Sequence, residues 1–239
     1  PVAAFWSKLL TPSPYAANPL NINPLRRVLA AQVDFERLRA ADTAGLYVSA
    51  TNVWTGKLAV FERERLTVDH LMASACLPTV FQAVEIEGVP YWDGGYLGNP
   101  PLYPLHRGAH TRDIMLVQIN PVERRQTPRT QGEIQDRLNE ITFNASLVTE
   151  LRFIAERNKL IDAGELKSEN HRKLFLHMIH GDQELGSFPP STKLLAEEEF
   201  LLMLRDLGRA AADEWLREHK AKIGKRSSFN YRRLIAAMT

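Results

Sequence analysis

The feature that most limits what this 239-residue chain can fold into is a short apolar run, Ile114-Met115-Leu116-Val117, followed by residues at helical spacing. A nearly continuous apolar run between polar flanks predicts a strand over Asp113–Asn120 buried on both faces, as in a parallel sheet covered by helices. Thr130 and Glu133 read as a capping box. Behind them Ile134, Leu138, Ile141, Ala145, Val148 and Leu151 recur at threes and fours, predicting a long helix to about Asp162. Leu174–Ile179 reads as another strand. Phe200, Leu204, Leu207, Ala211 and Trp215 mark a last helix, stopped near Gly224. Strands alternating with helices argue an α/β layered domain.

The first hundred residues add shorter elements. Phe5, Trp6, Leu9 and Leu10 fall on one side of a short helix over residues 3–10. Pro12, Pro14, Pro19 and Pro24 then predict an irregular loop, before helical signals return over Leu25–Ala40. Leu46–Thr51 and Leu58–Phe61 flank Thr55-Gly56-Lys57 as strand, turn and strand. Thr67 caps a helix running to Cys76, with Pro78 as its stop. Val84–Ile86 and Val89–Trp92 surround Glu87-Gly88 as a second hairpin.

Composition excludes several classes. Apolar content of 44% and charged content of 24% are those of a globular protein, not a disordered one. No apolar run is long enough to span a bilayer. One cysteine, Cys76, leaves neither a disulfide framework nor a multi-thiolate metal site. His177 and His180 with Asp182 suggest a metal only until the strand period is applied, because residues three apart on a strand face opposite ways. No metal and no cofactor are therefore expected. The charge is uneven: residues 217–239 carry seven Lys and Arg against Glu218, net +6, and the rest of the chain carries −4. Such a tail suits an anionic lipid surface or a solvated helix end. Without interleaved stacking aromatics beyond Phe229 and Tyr231, it does not read as a nucleic-acid site.

The strongest chemical signal is Tyr91-Trp92-Asp93-Gly94-Gly95-Tyr96. Asp-Gly between hydrophobic residues is also an ordinary hairpin turn. Here Asn99 and Pro100 follow closely, a good cap and a good first helical residue, which leaves no room for a simple return strand. Asp93 then reads as a carboxylate placed at a strand end, with two glycines that let a substrate approach the backbone. Ser74 lacks a Gly-x-Ser-x-Gly elbow, and Cys76 sits at a helix C-terminus, where the dipole disfavours a thiolate.

The ordered series VSATNVWTGKLAVF and HLMASACLPTVFQAVEIEGVPYWDGGYLGNPPLYPL resembles the patatin-like phospholipases. The resemblance extends through the Asp113–Asn120 strand and both long helices. It implies a three-layer α/β/α sandwich with a mostly parallel central sheet. It also implies a lipid acyl hydrolase that uses a Ser–Asp dyad without a catalytic histidine. Asp93 would be the dyad's aspartate. The serine would form an acyl-enzyme, and a glycine-rich loop would supply the oxyanion hole.

The departure from that pattern is large. Neither Gly-x-Ser-x-Gly nor a glycine-rich oxyanion loop occurs in this chain, and the family carries both upstream of the region matched. The chain therefore reads as residues 1–239 of the C-terminal part of one patatin-like catalytic domain, with a basic tail over 217–239. Its expected partners are an N-terminal fragment of the same protein carrying the nucleophilic serine, and a lipid or ester substrate. Its expected location is cytoplasmic, with peripheral membrane contact. A start at Pro1 without Met favours this split-enzyme expectation. The alternatives are a catalytically incomplete binding or scaffold protein and, least favoured, a hydrolase that uses Ser74 or Cys76.

Overall fold

The computed structural model describes residues 12–42, 44–108, 111–124, 126–167, 172–181, 185, 188, 192 and 195–230. The expected helix over residues 3–10 lies outside them. The chain divides into two compact units, Pro1–Pro104 and Leu105–Thr239.

In the first unit, the proline-rich stretch holds a one-turn helix, α1 (Pro14–Ala17), rather than loop throughout. Pro14 opens it, at the position where a missing N–H costs nothing. The helical signal of Leu25–Ala40 resolves into α2 (Pro24–Gln32) and α3 (Phe35–Ala40). Asn23 accepts the Leu25 N–H at 3.1 Å, and Asp34 accepts that of Arg37 at 2.9 Å, so each helix has its own cap. Strands β1 (Tyr47–Asn52) and β2 (Lys57–Glu62) pair antiparallel around Gly56, whose φ is +61°. Strands β3 (Val84–Ile86) and β4 (Val89–Asp93) meet at Glu87 and Gly88, both at positive φ, the two-residue turn that matches strand twist. Between the hairpins runs α4 (Val68–Ser74), two residues shorter than expected. The Thr67 N–H donates to His70 Nδ1 at 3.1 Å, so a histidine does the work of the usual glutamate in the capping box.

The four strands form one antiparallel sheet in the order β2-β1-β4-β3. Ala50, Phe61, Leu66 and Ala73 are its buried core, with Val48, Val84, Ile86 and Tyr91 packed around them.

The second unit is built on β5 (Asp113–Gln118) and β6 (Phe175–His180), which pair in parallel. Between them in sequence lies α6 (Gln131–Asp162); α5 (Tyr103–Gly108) precedes them and α7 (Glu198–His219) follows. The Thr130–Glu133 capping box forms as expected. The outer edge of β6 is occupied as well. Leu176 donates its N–H to Ser227 Oγ at 2.9 Å, and its carbonyl accepts the Ser228 and Phe229 amides.

Helices and sheets are mixed as an α/β reading requires, but the sheet expectation needs correction. Among the described residues the larger sheet is antiparallel and only β5 and β6 are parallel. The two hairpins have turns too short for a crossover, while α6 supplies one between β5 and β6. Nor is β5 buried on both faces. Ile114 and Leu116 are buried, whereas Val117 is 71% exposed. The stripe of α6 is likewise half covered. Its inward face carries Glu140, Asn144, Leu147, Val148, Leu151, Ile154 and Asn158, while Ile134, Leu138 and Ile141 stay exposed. The helix expected at Asn99 begins instead at Tyr103, after a cis Asn99–Pro100 bond. Pro101 biases Pro100 away from helical angles.

Candidate functional site

Asp93 is the last residue of β4 and the cap of a single 3-10 turn, Gly94–Tyr96. Its carboxylate accepts the Gly95 N–H at 2.7 Å. The backbone on either side is tied as firmly. The Asp93 N–H donates to the Cys76 carbonyl at 2.9 Å, and Thr51 Oγ1 donates to the Asp93 carbonyl at 2.8 Å. Across the sheet Asp93 faces the fully buried Ala50. Small residues at 50, 94 and 95 thus adjoin a half-buried Asp93 whose backbone is held at two points and whose carboxylate is held at one.

Glycine at 94 is a packing requirement. A Cβ there would lie 2.3 Å from the Ser49 carbonyl oxygen and 2.4 Å from Ser49 Oγ, inside any tolerable contact. The second glycine, Gly95, is also buried and presents its N–H to the carboxylate.

Burial pushes the Asp93 carboxyl above the usual aspartate range, against the opposing pull of the Gly95 N–H. A carboxylate raised in this way is a stronger proton acceptor than a solvated one. Its charge reaches two neighbours that sequence reasoning did not place beside it. Burial, and then the Asp93 charge, raise the Tyr96 phenol. Burial is also the main cause raising the Cys76 thiol, which the Val84 N–H opposes and Asp93 reinforces. Cys76 is 1% exposed and donates its thiol hydrogen to the Gln82 carbonyl at 3.1 Å, the opposite of an activated nucleophile. Ser74 ends α4 and has no elbow geometry around it.

In the second unit, a separate constellation escaped the sequence reading. His177, 1% exposed, places Nε2 2.8 Å from Asp113 Oδ1 and Nδ1 2.9 Å from Ser228 Oγ. Trp215 meets its ring edge-on at 5.6 Å. Burial alone would raise the Asp113 carboxyl, but the Gly224 N–H, His177 and Thr111 together hold it below the usual range. The three residues staple β5, β6 and the segment after α7 to one another. His180, three residues along β6, is exposed while His177 is buried, in line with the opposite faces the strand period assigns them. Among the described residues, no three His, Cys, Asp or Glu side chains gather as metal ligands would.

No helix among the described residues is long and apolar enough to cross a membrane. No curated protein matches the chain. Asp93, its two glycines, both hairpins and α4 all fall within residues 17–106, and those residues match the family model of the patatin-like phospholipases, a family of lipid acyl hydrolases.

Proposed function

We propose that this chain contributes Asp93 as the general base of a patatin-like lipid acyl hydrolase, and that a separate N-terminal segment contributes the nucleophilic serine. The reading rests on one observation: a half-buried, proton-hungry carboxylate fixed at a strand end beside two buried glycines, inside the residues that match the family. Gly-x-Ser-x-Gly is absent from the 239 residues, so Asp93 needs a serine from elsewhere.

In this reading the serine hydroxyl attacks the ester carbonyl and gives its proton to the Asp93 carboxylate. The proton passes to the leaving alkoxide as the C–O bond breaks, which leaves an acyl-serine. Water then attacks the acyl group and surrenders a proton to Asp93. That proton returns to the serine oxygen as the acid departs. The Gly95 N–H holds the carboxylate in place through both halves. Charge on the carbonyl oxygen would be met by the serine-bearing segment's own glycine-rich loop.

All 239 residues would then form one part of a single catalytic domain. The parallel pair β5 and β6 would join further parallel strands from the partner segment in a three-layer α/β/α sandwich. Residues 217–239 would be a basic tail for peripheral contact with anionic membranes. The test is intact mass of every polypeptide in the native sample, followed by a serine-directed fluorophosphonate. We expect label on a second polypeptide and none on this one. Full ester hydrolysis by residues 1–239 alone, or undiminished hydrolysis by Asp93→Asn in the reconstituted protein, overturns the reading.

A further inference from the structure

α4 has 7 residues, about two turns, so its first turn decides whether it forms at all. That turn is closed by His70, where an ordinary capping box has glutamate or glutamine. The difference is chemical. A carboxamide oxygen accepts a hydrogen bond at any pH, whereas an imidazole nitrogen accepts only while it is unprotonated. The Thr67 N–H can only donate, so its 3.1 Å bond to Nδ1 assigns the ring. Nδ1 carries a lone pair, and the proton of the neutral ring sits on Nε2. Protonation puts an N–H where that lone pair was. The new N–H can turn to Thr67 Oγ1, 2.9 Å away, but the Thr67 backbone N–H is left without its acceptor.

The surroundings favour the neutral ring. His70 is 6% exposed and meets Phe61 of β2 edge-on, with centroids 4.3 Å apart. The charges acting on it are Arg65 from the turn before α4, Asp69 beside it in α4, and Glu87 at the tip of the β3–β4 hairpin. Arg65 and Glu87 face each other at 3.8 Å, and Asp69 pairs with Arg26 of α2. From β4, Tyr91 lies behind Phe61, and Asp93 acts on Cys76 and Tyr96 past the far end of α4. Burial first, and then Arg65, hold His70 below the usual histidine range, while Asp69 and Glu87 pull the other way. The box is therefore at full strength above the ordinary histidine range. Its contribution falls as pH drops from that range to the lowered folded value, and the loss is complete below it.

At its other end α4 runs into Ala75 and Cys76, whose N–H groups bond the carbonyls of Leu71 and Ala73. The Cys76 carbonyl accepts the Asp93 N–H at 2.9 Å, and the Cys76 thiol donates to the Gln82 carbonyl at 3.1 Å. A helix of two turns has no interior to absorb the loss of its first turn, so opening at Thr67 reaches Cys76.

We propose that His70 is a pH-sensitive positioning residue, which in its neutral form keeps α4 closed and Asp93 in place and on taking up a proton releases both. The opening of α4 stands on the geometry of the box. Its effect on hydrolysis rests on the role given above to Asp93.

The test uses Cys76, the one cysteine of the chain, which is 1% exposed just past α4. Its rate of labelling by dithiodipyridine in the whole chain, read by intact mass, reports opening. His70→Gln supplies a capping-box oxygen that does not titrate. Comparing it with the native chain at each pH cancels the pH dependence of thiol attack and of Asp93. We expect equal, slow labelling at pH 7.5 and at least tenfold faster labelling of the native chain at pH 5. His70→Glu, the usual box residue, should follow His70→Gln, and replaces it if circular dichroism shows that variant unfolded. A native-to-variant ratio that does not change with pH overturns the switch. Hydrolysis of a soluble ester by the reconstituted protein tests the coupling. At pH 5 His70→Gln should keep at least threefold more of its own pH 7.5 rate than the native protein keeps. Equal fractions, with labelling as expected, overturn the control of Asp93. Undiminished hydrolysis by Asp93→Asn removes Asp93 from the mechanism instead, and the labelling result then still decides the switch in α4.

Discussion

The backbone amide of Asp93 donates to the carbonyl of Cys76, 2.9 Å away, joining the end of β4 to the turn that closes α4. The carboxylate is therefore placed by two elements at once. α4 packs on β1, β3 and β4, so a shift of that helix would drag the carboxylate with it.

Gly94 is where this arrangement has least tolerance. Gly94→Ala forces a methyl group onto the Ser49 backbone, which cannot move without breaking the β1–β4 ladder. A loss of about 3 kcal/mol is expected by urea unfolding, at the upper end for overpacking. Gly88→Ala, on a turn with open space around it, should cost about 1 kcal/mol, from its positive φ alone.

Asp93 should cost the fold stability in a pH-dependent way. Its folded-state pKa is raised by burial, so stability falls as pH climbs from the ordinary aspartate range to the raised folded value, and the loss is complete above it. Asp93→Asn is thus expected to melt higher than the native chain at pH 7. The gap should close as pH falls below the ordinary aspartate range, where both states are neutral. Melting curves at pH 3, 5 and 7 read this directly, and an equal difference at every pH would contradict it.

The His177 staple makes a contrasting case. His177→Ala removes two hydrogen bonds and a buried ring, and about 3 kcal/mol is expected by denaturant titration. Ser228→Ala, which removes one partner, should cost about 1 kcal/mol. Asp113 has a lowered pKa, so its contribution is complete above the ordinary aspartate range and fades as pH falls through the depressed value. Asp113→Asn should flatten the acid limb of the stability curve.

Glu140, only 5% exposed, accepts from both Arg124 and Arg137. Burial would raise its carboxyl, but the two guanidiniums hold it low. Glu140→Gln leaves two half-buried cations without their counter-charge, and about 3 kcal/mol is expected by urea unfolding. Less than 1 kcal/mol would mean that water already screens the cluster.

The tail should act on membranes and not on chemistry. Neutralising Lys220, Lys222, Lys225 and Arg226 together is expected to weaken sedimentation with anionic vesicles at least tenfold, since each charge near such a surface contributes about 1 kcal/mol. Hydrolysis of a soluble ester by the reconstituted protein should not change. Unaltered sedimentation would leave these residues as a solvated helix end.

What could be read from the residues depended on how local the signal was. Both hairpins were legible because Gly56 and the Glu87-Gly88 pair bring their own positive φ. The start of α6 was legible because Thr130 and Glu133 close a box within one turn. Asp93 at a strand end was legible from two following glycines. The covering of faces was not. A continuous apolar run shows that both sides of β5 are apolar, but not that both are covered, and Val117 is open. In α6 the apolar stripe and the buried face diverge because Glu140 and Asn144 turn inward, satisfied by Arg124, Arg137 and the Pro121 carbonyl. His177, Asp113 and Ser228 gave no local sign at all, being joined across separations of 51 and 64 residues.

The double use of Leu176 also sets an order of events during synthesis. One side of β6 can pair with β5 as soon as both have left the ribosome. The other side stays bare until residues 227–229 arrive, and Gly224 must then reach Asp113 across 111 residues. Those contacts must wait for the 51 residues that separate Leu176 from Ser227 to be made. For that interval the nascent chain displays an unpaired strand edge, the kind of surface that recruits neighbouring chains. A chaperone that shields extended backbone would find its moment there, and a stall in translation shortly before residue 224 would prolong it.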